Sequence, residues 1–229
     1  VEMTMKINSK TARASLIFIL IFGAGSYLLG WSPLLSVRSI AITGAPTKES
    51  QLAILRSLNI APGDKLARVD PRALSNRLRS FDWIESSQVS RNWISGKVSI
   101  SITTRTPIAL YSEPGKPQVV LDSSGNTFAT PVDIADGLPK VSAKSVVGGL
   151  AAIKVFTALP EDFSKNIDRM SAARTNNFLI YGKFEGQDLR IIWGDGEDTD
   201  LKVQVIGALL KRDENKNLRM IDVSAPHAP

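Results

Sequence analysis

The sequence contains no cysteine and one histidine, and these two scarcities exclude several kinds of site. Without cysteine the chain has no disulfide, no thiolate zinc ligand and no cysteine nucleophile. His227 stands alone, so a histidine-based triad or zinc site has no partners to draw on. The folded part therefore depends on the burial of apolar side chains for its stability.

The positive charge of the chain is unevenly distributed. The net charge is +6, and residues 37–105 carry eleven Lys/Arg against five Asp/Glu, whereas residues 145–229 carry eleven against twelve. An acidic partner or surface is therefore expected to meet the first of these regions. The basic residues there have no interleaved aromatic side chains to stack bases, so no nucleic-acid partner is expected.

One long segment, residues 14–37, carries no charge at all. Its length and apolar centre predict a transmembrane helix over 15–34, after a short cytoplasmic tail of residues 1–14. Basic residues precede the segment and aromatic residues occupy its far end: Lys6, Lys10, Arg13, Tyr27 and Trp31. This distribution is typical of a span with a cytoplasmic N-terminus and the bulk of the chain outside the cytoplasm.

Two alternatives compete with the membrane anchor. Residues 16–22 form a short apolar core followed by small residues at 23–26, which is also the pattern of a cleaved secretory signal. Apolar residues resume at 27–29, which a cleavage region does not need and a spanning helix does. A helix buried in a protein core is the other alternative, and it is disfavoured because nothing polar interrupts the run.

Residues 35–106 are predicted to form a compact α+β unit with the order strand, helix, helix, strand, strand. Alternating polarity predicts strands over 37–43, 87–93 and 97–103, the last two at hairpin spacing. Thr47 and Asp70 are suited to cap the two helices. The predicted core-facing residues are Leu52, Ile54, Leu55 and Leu58 in the first helix, and Leu74, Leu78 and Phe81 in the second.

Residues 107–229 are predicted to form a second α+β domain built on a twisted sheet. The pattern predicts strands over 108–111, 118–122, 127–129, 177–184, 188–193 and 218–223, and helices over 148–159, 161–169 and 199–212. The predicted fold class is therefore α+β, with one N-terminal transmembrane helix and two domains.

Motifs along most of the chain resemble those of the bacterial cell-division family FtsQ/DivIB. In the first domain the matching residues are Val37, Ile40, Gly44, Pro62, Gly63, Leu66, Trp83, Ile84, Val89, Arg91, Trp93, Arg105 and Pro107. In the second they are 121–128, 137–139, 193–195, Lys202, 221–224 and Pro226. Ile94 and Thr104 depart from the pattern, since the family commonly has Pro and Glu there.

The resemblance implies a POTRA domain (β-α-α-β-β) over 35–106 and an FtsQ-type β domain over 107–229. It also implies a non-catalytic scaffold at the division septum, without cofactor or small-molecule substrate, in the cell membrane. The implied partners are FtsB and FtsL at the distal domain, with FtsK and an FtsW/FtsI-type synthase as further candidates. Through them the family helps control septal peptidoglycan synthesis.

Few residues are candidates for chemistry. The acidic run 195–200 could hold a hard cation such as calcium, but it lacks the spacing and the distal glutamate of a calcium loop. We interpret it as a solvated turn that caps the following helix. Asp122 fits a hairpin turn, where such side chains bind their own backbone, and Asp222 is isolated.

Two surfaces are candidates for binding. Arg68, Arg72 and Arg79 are predicted to share a face of the second helix, either solvated or in contact with anionic lipid headgroups. The last strand is predicted to lie at a sheet edge, and an added strand from a division protein is expected there or at the tail that follows. The partner-binding residues are then Leu218, Arg219, Met220, Ile221, Asp222, Val223 and Ser224, with Lys202 and Arg190 meeting acidic residues of the partner. The alternative is that this strand is interior and serves only the core.

Two other functional classes remain in competition. A POTRA-bearing secretion or transport component would need a following β-barrel, and no such run of alternating strands recurs after residue 105. A secreted hydrolase or metal enzyme would need a cluster of catalytic polar residues, which the pattern does not indicate.

Overall fold

A computed structural model describes residues 9–30, 35–132 and 137–227, with the side chains of 13–27 in the first range. The chain divides into two compact units, Val1–Thr104 and Arg105–Pro229. Residues 1–8 and 31–34, with Lys6 and Trp31, lie outside the described residues, and so does the C-terminal end of the predicted transmembrane helix. Both units mix helices with a sheet, so the predicted α+β class is confirmed.

Helix α1 (Ser9–Gly30) covers most of the apolar segment predicted to cross a membrane. Its large apolar side chains at 16–22 are all more than half exposed, so this helix is not buried in a core. Among the described residues, no helix combines the length and the apolar character that a membrane crossing requires. The predicted transmembrane helix is therefore not confirmed.

The first unit contains a three-stranded sheet and two helices. Its elements are β1 (Ser39–Thr43), α2 (Lys48–Leu58), α3 (Pro71–Leu78), β2 (Ile84–Asn92) and β3 (Lys97–Thr104). β3 lies in the middle, parallel to β1 and antiparallel to β2. The order of elements is the predicted one.

The caps of both helices are the residues predicted from the local sequence, whereas the buried face of α2 differs from the predicted one. Thr47 Oγ1 accepts from Ser50 N at 3.0 Å, and Asp70 Oδ1 accepts from Arg72 N at 2.9 Å. In α2 the buried apolar residues are Ile54 and Leu58, while Leu52 is 51% exposed, contrary to prediction. Residues four apart share a helix face, so burial of that pair turns Leu52 outward.

The second unit is built on an eight-stranded sheet. Its strands are β4 (Pro107–Ser112), β5 (Val119–Asp122), β6 (Thr127–Phe128), β7 (Lys140–Ala143), β8 (Ile167–Arg174), β9 (Asn177–Phe184), β10 (Gln187–Gly194) and β11 (Met220–Asp222). Its helices are α4 (Val146–Ala158), α5 (Glu161–Ser164) and α6 (Thr199–Leu210). The strand order is β11-β10-β9-β8-β7-β4-β5-β6.

Strands β7 and β8 were not predicted from the sequence. The helix predicted over 161–169 begins at the predicted residue but ends earlier. α5 ends at Ser164, and β8 begins at Ile167. β8 is held between β7 and β9, with Met170 paired to Val141 on one side and to Ile180 on the other. This pairing buries Met170 fully, and tertiary burial overrides the helical pattern of the local sequence.

The core of the second unit lies between the sheet and its helices. The largest fully buried side chains there include Trp193, Met170, Ile180, Ile191 and Ile206. The Phe163 ring of α5 contacts the rings of Phe184 and Trp193, with centroids 4.8 and 6.0 Å apart. This packing supports β9 and β10, and with them the strand that ends the sheet.

Candidate partner-binding site

β11 is the terminal strand of the eight-stranded sheet, next to β10 and parallel to it. Arg190 N donates to Arg219 O at 3.0 Å, and Val223 N donates to Ile192 O at 2.9 Å. The backbone groups of alternate residues point to opposite sides of a strand, so those of Met220 and Asp222 point away from β10. The outer side of β11 is an open sheet edge.

The side chains of the predicted site divide between core and surface. Ile221 and Val223 are buried, and Leu218 packs against the same core. Exposed positions are Arg190, Arg219, Met220, Asp222 and Ser224. The strand is thus fixed from one face and accessible along its edge, while partner binding there stays a prediction.

The end of β11 is fixed by a local turn and by a close backbone approach. Asp222 Oδ1 accepts from Ser224 N at 2.9 Å and from Ser224 Oγ at 2.7 Å. Gly194 has φ +75°, and a Cβ there would lie 2.8 Å from Ser224 Cβ and 2.9 Å from its Cα. Glycine at this position therefore allows the segment after β11 to lie against the end of β10.

Lys202 does not lie on the accessible surface, which corrects its predicted role in meeting a partner. Its side chain is 1% exposed, and Nζ donates to Asp195 Oδ1 at 2.8 Å and to Asp195 O at 3.1 Å. Nζ also lies 5.6 Å from the Trp193 ring centroid. The hydrogen bond from Lys202, together with one from Glu197 N, lowers the pKa of Asp195. Lys202 therefore holds the turn between β10 and α6.

The acidic run before α6 is a solvated turn, as predicted, but it does not cap the helix with a side chain. Asp198 occupies the N-cap position with φ +51°, and its carboxylate makes no capping hydrogen bond within the described chain. His227 Nε2 lies 3.2 Å from Asp198 Oδ2, and both side chains are largely exposed. Among the described residues no three His, Asp or Glu side chains are grouped to hold a metal ion.

Asp122 organises the turn between β5 and β6, and this prediction is confirmed. Its Oδ1 accepts from Ser124 N at 2.9 Å and from Asn126 N at 2.8 Å. Arg105 Nη1 donates to Oδ2 at 2.8 Å, a contact that the sequence pattern does not indicate because the two residues are far apart in the chain. Burial raises the pKa of Asp122, but the hydrogen bonds from Asn126, Arg105 and Ser124 together outweigh it and leave the pKa below its ordinary value.

Comparison with known proteins decides the nature of the first unit. The family model for POTRA domains of the FtsQ type matches residues 35–105. Residues 35–105 are thus similar to POTRA domains of the FtsQ type. Its matched range contains the whole sheet β1-β3-β2 with α2 and α3.

Curated relatives extend the similarity beyond the POTRA domain. The cell division protein FtsQ of Mycolicibacterium smegmatis is 29% identical over 224 residues, covering 94% of this chain and 62% of the relative. FtsQ of Mycobacteroides abscessus is 28% identical, covering 93% and 66%. FtsQ of Streptomyces collinus is 28% identical, covering 99% and 88%. The chain thus spans less than two thirds of the length of the first two relatives. Because the similarity extends over most of this chain, the predicted resemblance to the FtsQ family is confirmed.

Three arginines of the first unit were predicted to share one helix face, and the structure does not place them on one face. Arg68 lies in a short 3-10 turn (Leu66–Arg68), Arg72 lies in α3, and Arg79 follows the end of α3. Asp70 caps α3 and Pro71 is its first residue, so the helix begins after Arg68. All three side chains are exposed, but they do not form one helical stripe.

Proposed function

We propose that this chain is a non-catalytic cell-division scaffold that binds other division proteins. The FtsQ-type POTRA domain and the FtsQ relatives that match most of the chain support a role in cell division. The second unit supports a binding role, because its accessible edge is made of backbone groups and Asp122 and Asp195 hold turns.

The observation that carries the proposal is the open edge of β11. Met220 is 54% exposed, and its N–H and C=O point away from β10, as do those of Asp222. An extended segment of a partner can add to this edge as a further strand, with affinity from main-chain hydrogen bonds. Strand addition needs an edge that is held rigidly, and the buried Ile221 and Val223 hold this one.

The charge beside the edge favours a partner segment with acidic residues. Arg190 and Arg219 are both exposed, and Arg190 N donates to Arg219 O, which brings the two residues to the same end of β11. Opposite charge across an interface raises the association rate and selects among partners. We infer that FtsB and FtsL are the partners, and that the POTRA domain serves further division proteins such as FtsK and an FtsW/FtsI-type synthase. Through them the scaffold couples division to septal peptidoglycan synthesis.

We also infer that α1 attaches the chain to the cell membrane at the septum, with a cytoplasmic N-terminus. The support is the exposure of its apolar side chains on all sides of the helix, from Leu16 to Phe22. Apolar surface of this extent is stable in lipid rather than in water. Arg13 precedes it on the side predicted to be cytoplasmic.

The test replaces Met220 by proline and, as a matched control, by threonine. Met220→Pro removes an N–H that points away from β10, so the sheet keeps its internal hydrogen bonds. Met220→Thr changes the side chain and keeps the N–H. Capture of purified FtsB by the full chain should fall at least tenfold for Met220→Pro and remain near that of the unchanged protein for Met220→Thr.

Urea unfolding separates a lost binding edge from a lost fold. We expect the midpoint of Met220→Pro to lie close to that of the unchanged chain. Normal FtsB capture by a folded Met220→Pro protein would contradict binding at β11. Equal loss of capture in Met220→Thr would assign the effect to the side chain and so contradict strand addition.

A further inference from the structure

The turn between β2 and β3 of the POTRA domain presents two apolar side chains to solvent. Ile94 is 91% exposed, the largest exposed fraction of any large apolar side chain among the described residues, and Trp93 beside it is 36% exposed. A single exposed apolar residue is common on protein surfaces. A fully exposed Ile next to a Trp at the tip of a hairpin is a compact apolar projection, which we call the hairpin tip (residues 93–96).

The backbone of the hairpin tip is held in place. Asn92 Oδ1 accepts from Ile94 N at 2.9 Å and from Ser95 N at 3.0 Å, and Gly96 N donates to Asn92 O at 2.9 Å. Gly96 O accepts from Arg38 N at 2.8 Å, which joins the tip to the residues that lead into β1. The exposure of Ile94 is therefore built into a turn with fixed hydrogen bonds.

Arg91 positions the Trp93 ring and adds a positive charge beneath it. The Arg91 guanidinium carbon lies 4.6 Å from the Trp93 ring centroid, a cation–π contact. Arg91 Nη1 also donates to Leu66 O at 2.8 Å and to Val69 O. The ring is thus supported on one face by a cation that is itself anchored to the body of the domain.

Two basic side chains lie beside the hairpin tip. Arg38 and Lys97 are exposed, and the register Ser39↔Lys97 brings them to the same end of the sheet. Asp64 also lies at this end, through Val37 N donating to Asp64 O, and its carboxylate accepts from Ala61 N at 2.8 Å. Arg38 and Lys97 outnumber this one negative charge, and a Trp and an aliphatic side chain flanked by Arg and Lys suit the boundary between anionic headgroups and acyl chains.

The position of the tip in the chain points to the same surface. The chain enters the sheet beside the tip, at Ser39, and leaves it at the opposite end of β3, at Thr104. Only five residues separate Gly30, the last residue of α1, from Ser36, and a fully extended chain of that length spans about 20 Å. This step rests on the proposed attachment of α1 to a membrane, which then places the tip end of the domain near that membrane.

We propose that the hairpin tip inserts Trp93 and Ile94 into the interfacial layer of an anionic lipid bilayer, with Arg38 and Lys97 against the headgroups. The contact gives the POTRA domain a second attachment beside α1 and fixes its tilt on the membrane. The ligand is a phospholipid with an anionic headgroup, because its acyl chains match the apolar pair and its headgroup matches the basic side chains.

The absence of cysteine makes a labelling test direct, because one introduced thiol carries the dye. An environment-sensitive dye is placed on the full chain at Ile94→Cys, with Leu52→Cys as the matched control. Leu52 is 51% exposed on α2, and the neighbouring Gln51 Nε2 contacts Ile42 O, toward the opposite end of β1. Vesicles of phosphatidylcholine alone are compared with an equal mixture of phosphatidylcholine and phosphatidylglycerol.

With the mixed vesicles the dye at position 94 should shift to the blue and rise about twofold in emission, while the dye at position 52 should not change. Lipid-attached quenchers should reduce the emission at position 94. An unchanged dye at position 94 would overturn the inference. An equal response in phosphatidylcholine alone would overturn the role of headgroup charge, and a response that needs high protein concentration without lipid would assign the tip to a second copy of the chain.

A dye at Leu20→Cys distinguishes failure of the anchor from failure of the tip. Response at position 20 without response at position 94 would overturn the tip contact and leave membrane attachment intact. Response at position 94 without response at position 20 would support the tip contact and contradict attachment through α1. The double variant Ile94→Ser, Lys97→Ser should lower vesicle binding without changing the urea midpoint, since both side chains are exposed.

Discussion

Lys202 is a charged residue placed inside the second unit, and its stability depends on a more exposed partner. The Lys202 side chain is 1% exposed, whereas the side chain of Asp195 is 50% exposed. The aliphatic stem of Lys202 packs in the core while Nζ reaches the Asp195 carboxylate and carbonyl. Removal of the Asp195 carboxylate therefore affects the stability of the fold differently from removal of the Lys202 ammonium group.

We predict that Asp195→Ala destabilises the chain more than Lys202→Met does. Asp195→Ala leaves a buried ammonium without its counter-charge, at a cost of about 3 kcal/mol. Lys202→Met keeps the buried stem, removes the charge, and leaves Asp195 to water, at a cost of about 1 kcal/mol. Urea unfolding of the two variants measures the difference, and equal or reversed costs would contradict a charge held by Asp195.

Asp122 makes the stability of the second unit sensitive to acid. Hydrogen bonds hold its pKa below the ordinary value of 3.8 although burial acts in the opposite direction. A carboxyl with a lowered folded-state pKa stabilises the fold above its unfolded pKa and loses that contribution as the pH falls below it.

We predict that Asp122→Asn costs about 1–3 kcal/mol at neutral pH, because the charge-assisted bond with Arg105 is lost. The difference in unfolding free energy between the two proteins should shrink as the pH is lowered below 3.8, where the unchanged carboxyl is protonated on unfolding. Chemical denaturation at neutral and acidic pH measures it. A difference that stays constant with pH would contradict the ion pair with Arg105.

At the scale of the elements, local signals predicted the helix starts and the hairpins, and failed where pairing partners are distant. Thr47 and Asp70 cap α2 and α3 because the capping bond joins residues two or three apart. β8 begins with residues that read as the end of a helix, and it becomes a strand because β7 and β9 flank it. The burial of Lys202 likewise depends on Trp193 and Asp195, which the residue type alone does not indicate.

The edge position of β11 was predictable because the last strand of a chain often lies at the end of a sheet. Its parallel pairing with β10 was not, since that depends on the course of α6 across the unit. The binding surface itself consists of main-chain groups, which any strand offers. The sequence therefore predicts which strand lies at the edge of the sheet more readily than it predicts which edge binds a partner.

Gly194 is predicted to determine where the segment after β11 can lie. Gly194→Ala places a Cβ 2.8 Å from Ser224 Cβ, so the segment after β11 must move away from β10. Gly186→Ala is the matched control, because Gly186 has φ +81° and a Cβ there meets nothing within 4 Å. We predict that both lose about 1 kcal/mol to the strained φ, and that Gly194→Ala loses more.

Capture of FtsB distinguishes the two glycine variants further. Gly194→Ala should bind several-fold less than the unchanged chain, and Gly186→Ala should bind normally. Urea midpoints are measured in parallel. Similar stability and similar capture for both variants would contradict a role of the Gly194 and Ser224 contact in holding the edge.

At the scale of the whole molecule, the chain is a succession of helix α1, a domain that matches the FtsQ-type POTRA family model and a second α+β unit. Each folded unit has its own sheet and its own buried residues. This organisation suits a scaffold, in which separate units serve separate partners along one polypeptide.

Membrane topology is the prediction that belongs to this scale. We expect a cytoplasmic N-terminus and residues 32–229 outside the cytoplasm, because Lys6, Lys10 and Arg13 precede the apolar segment of α1. A reporter that is active only outside the cytoplasm, fused after Pro229, should be active, and a cytoplasmic reporter at the same place should be silent. The reverse pattern would contradict the topology, and a shortened mature chain would indicate a cleaved signal.

The place of β11 in the chain also sets the order in which the sheet is completed during synthesis. The ribosome adds Arg190 well before Met220, its partner in register, so β10 is the outermost strand of the nascent sheet until β11 emerges. The open edge comes into existence only after α6 and β11 have been made. A stalled or truncated chain that lacks β11 cannot present it, so the proposed strand addition at this edge requires a chain whose translation has passed Asp222.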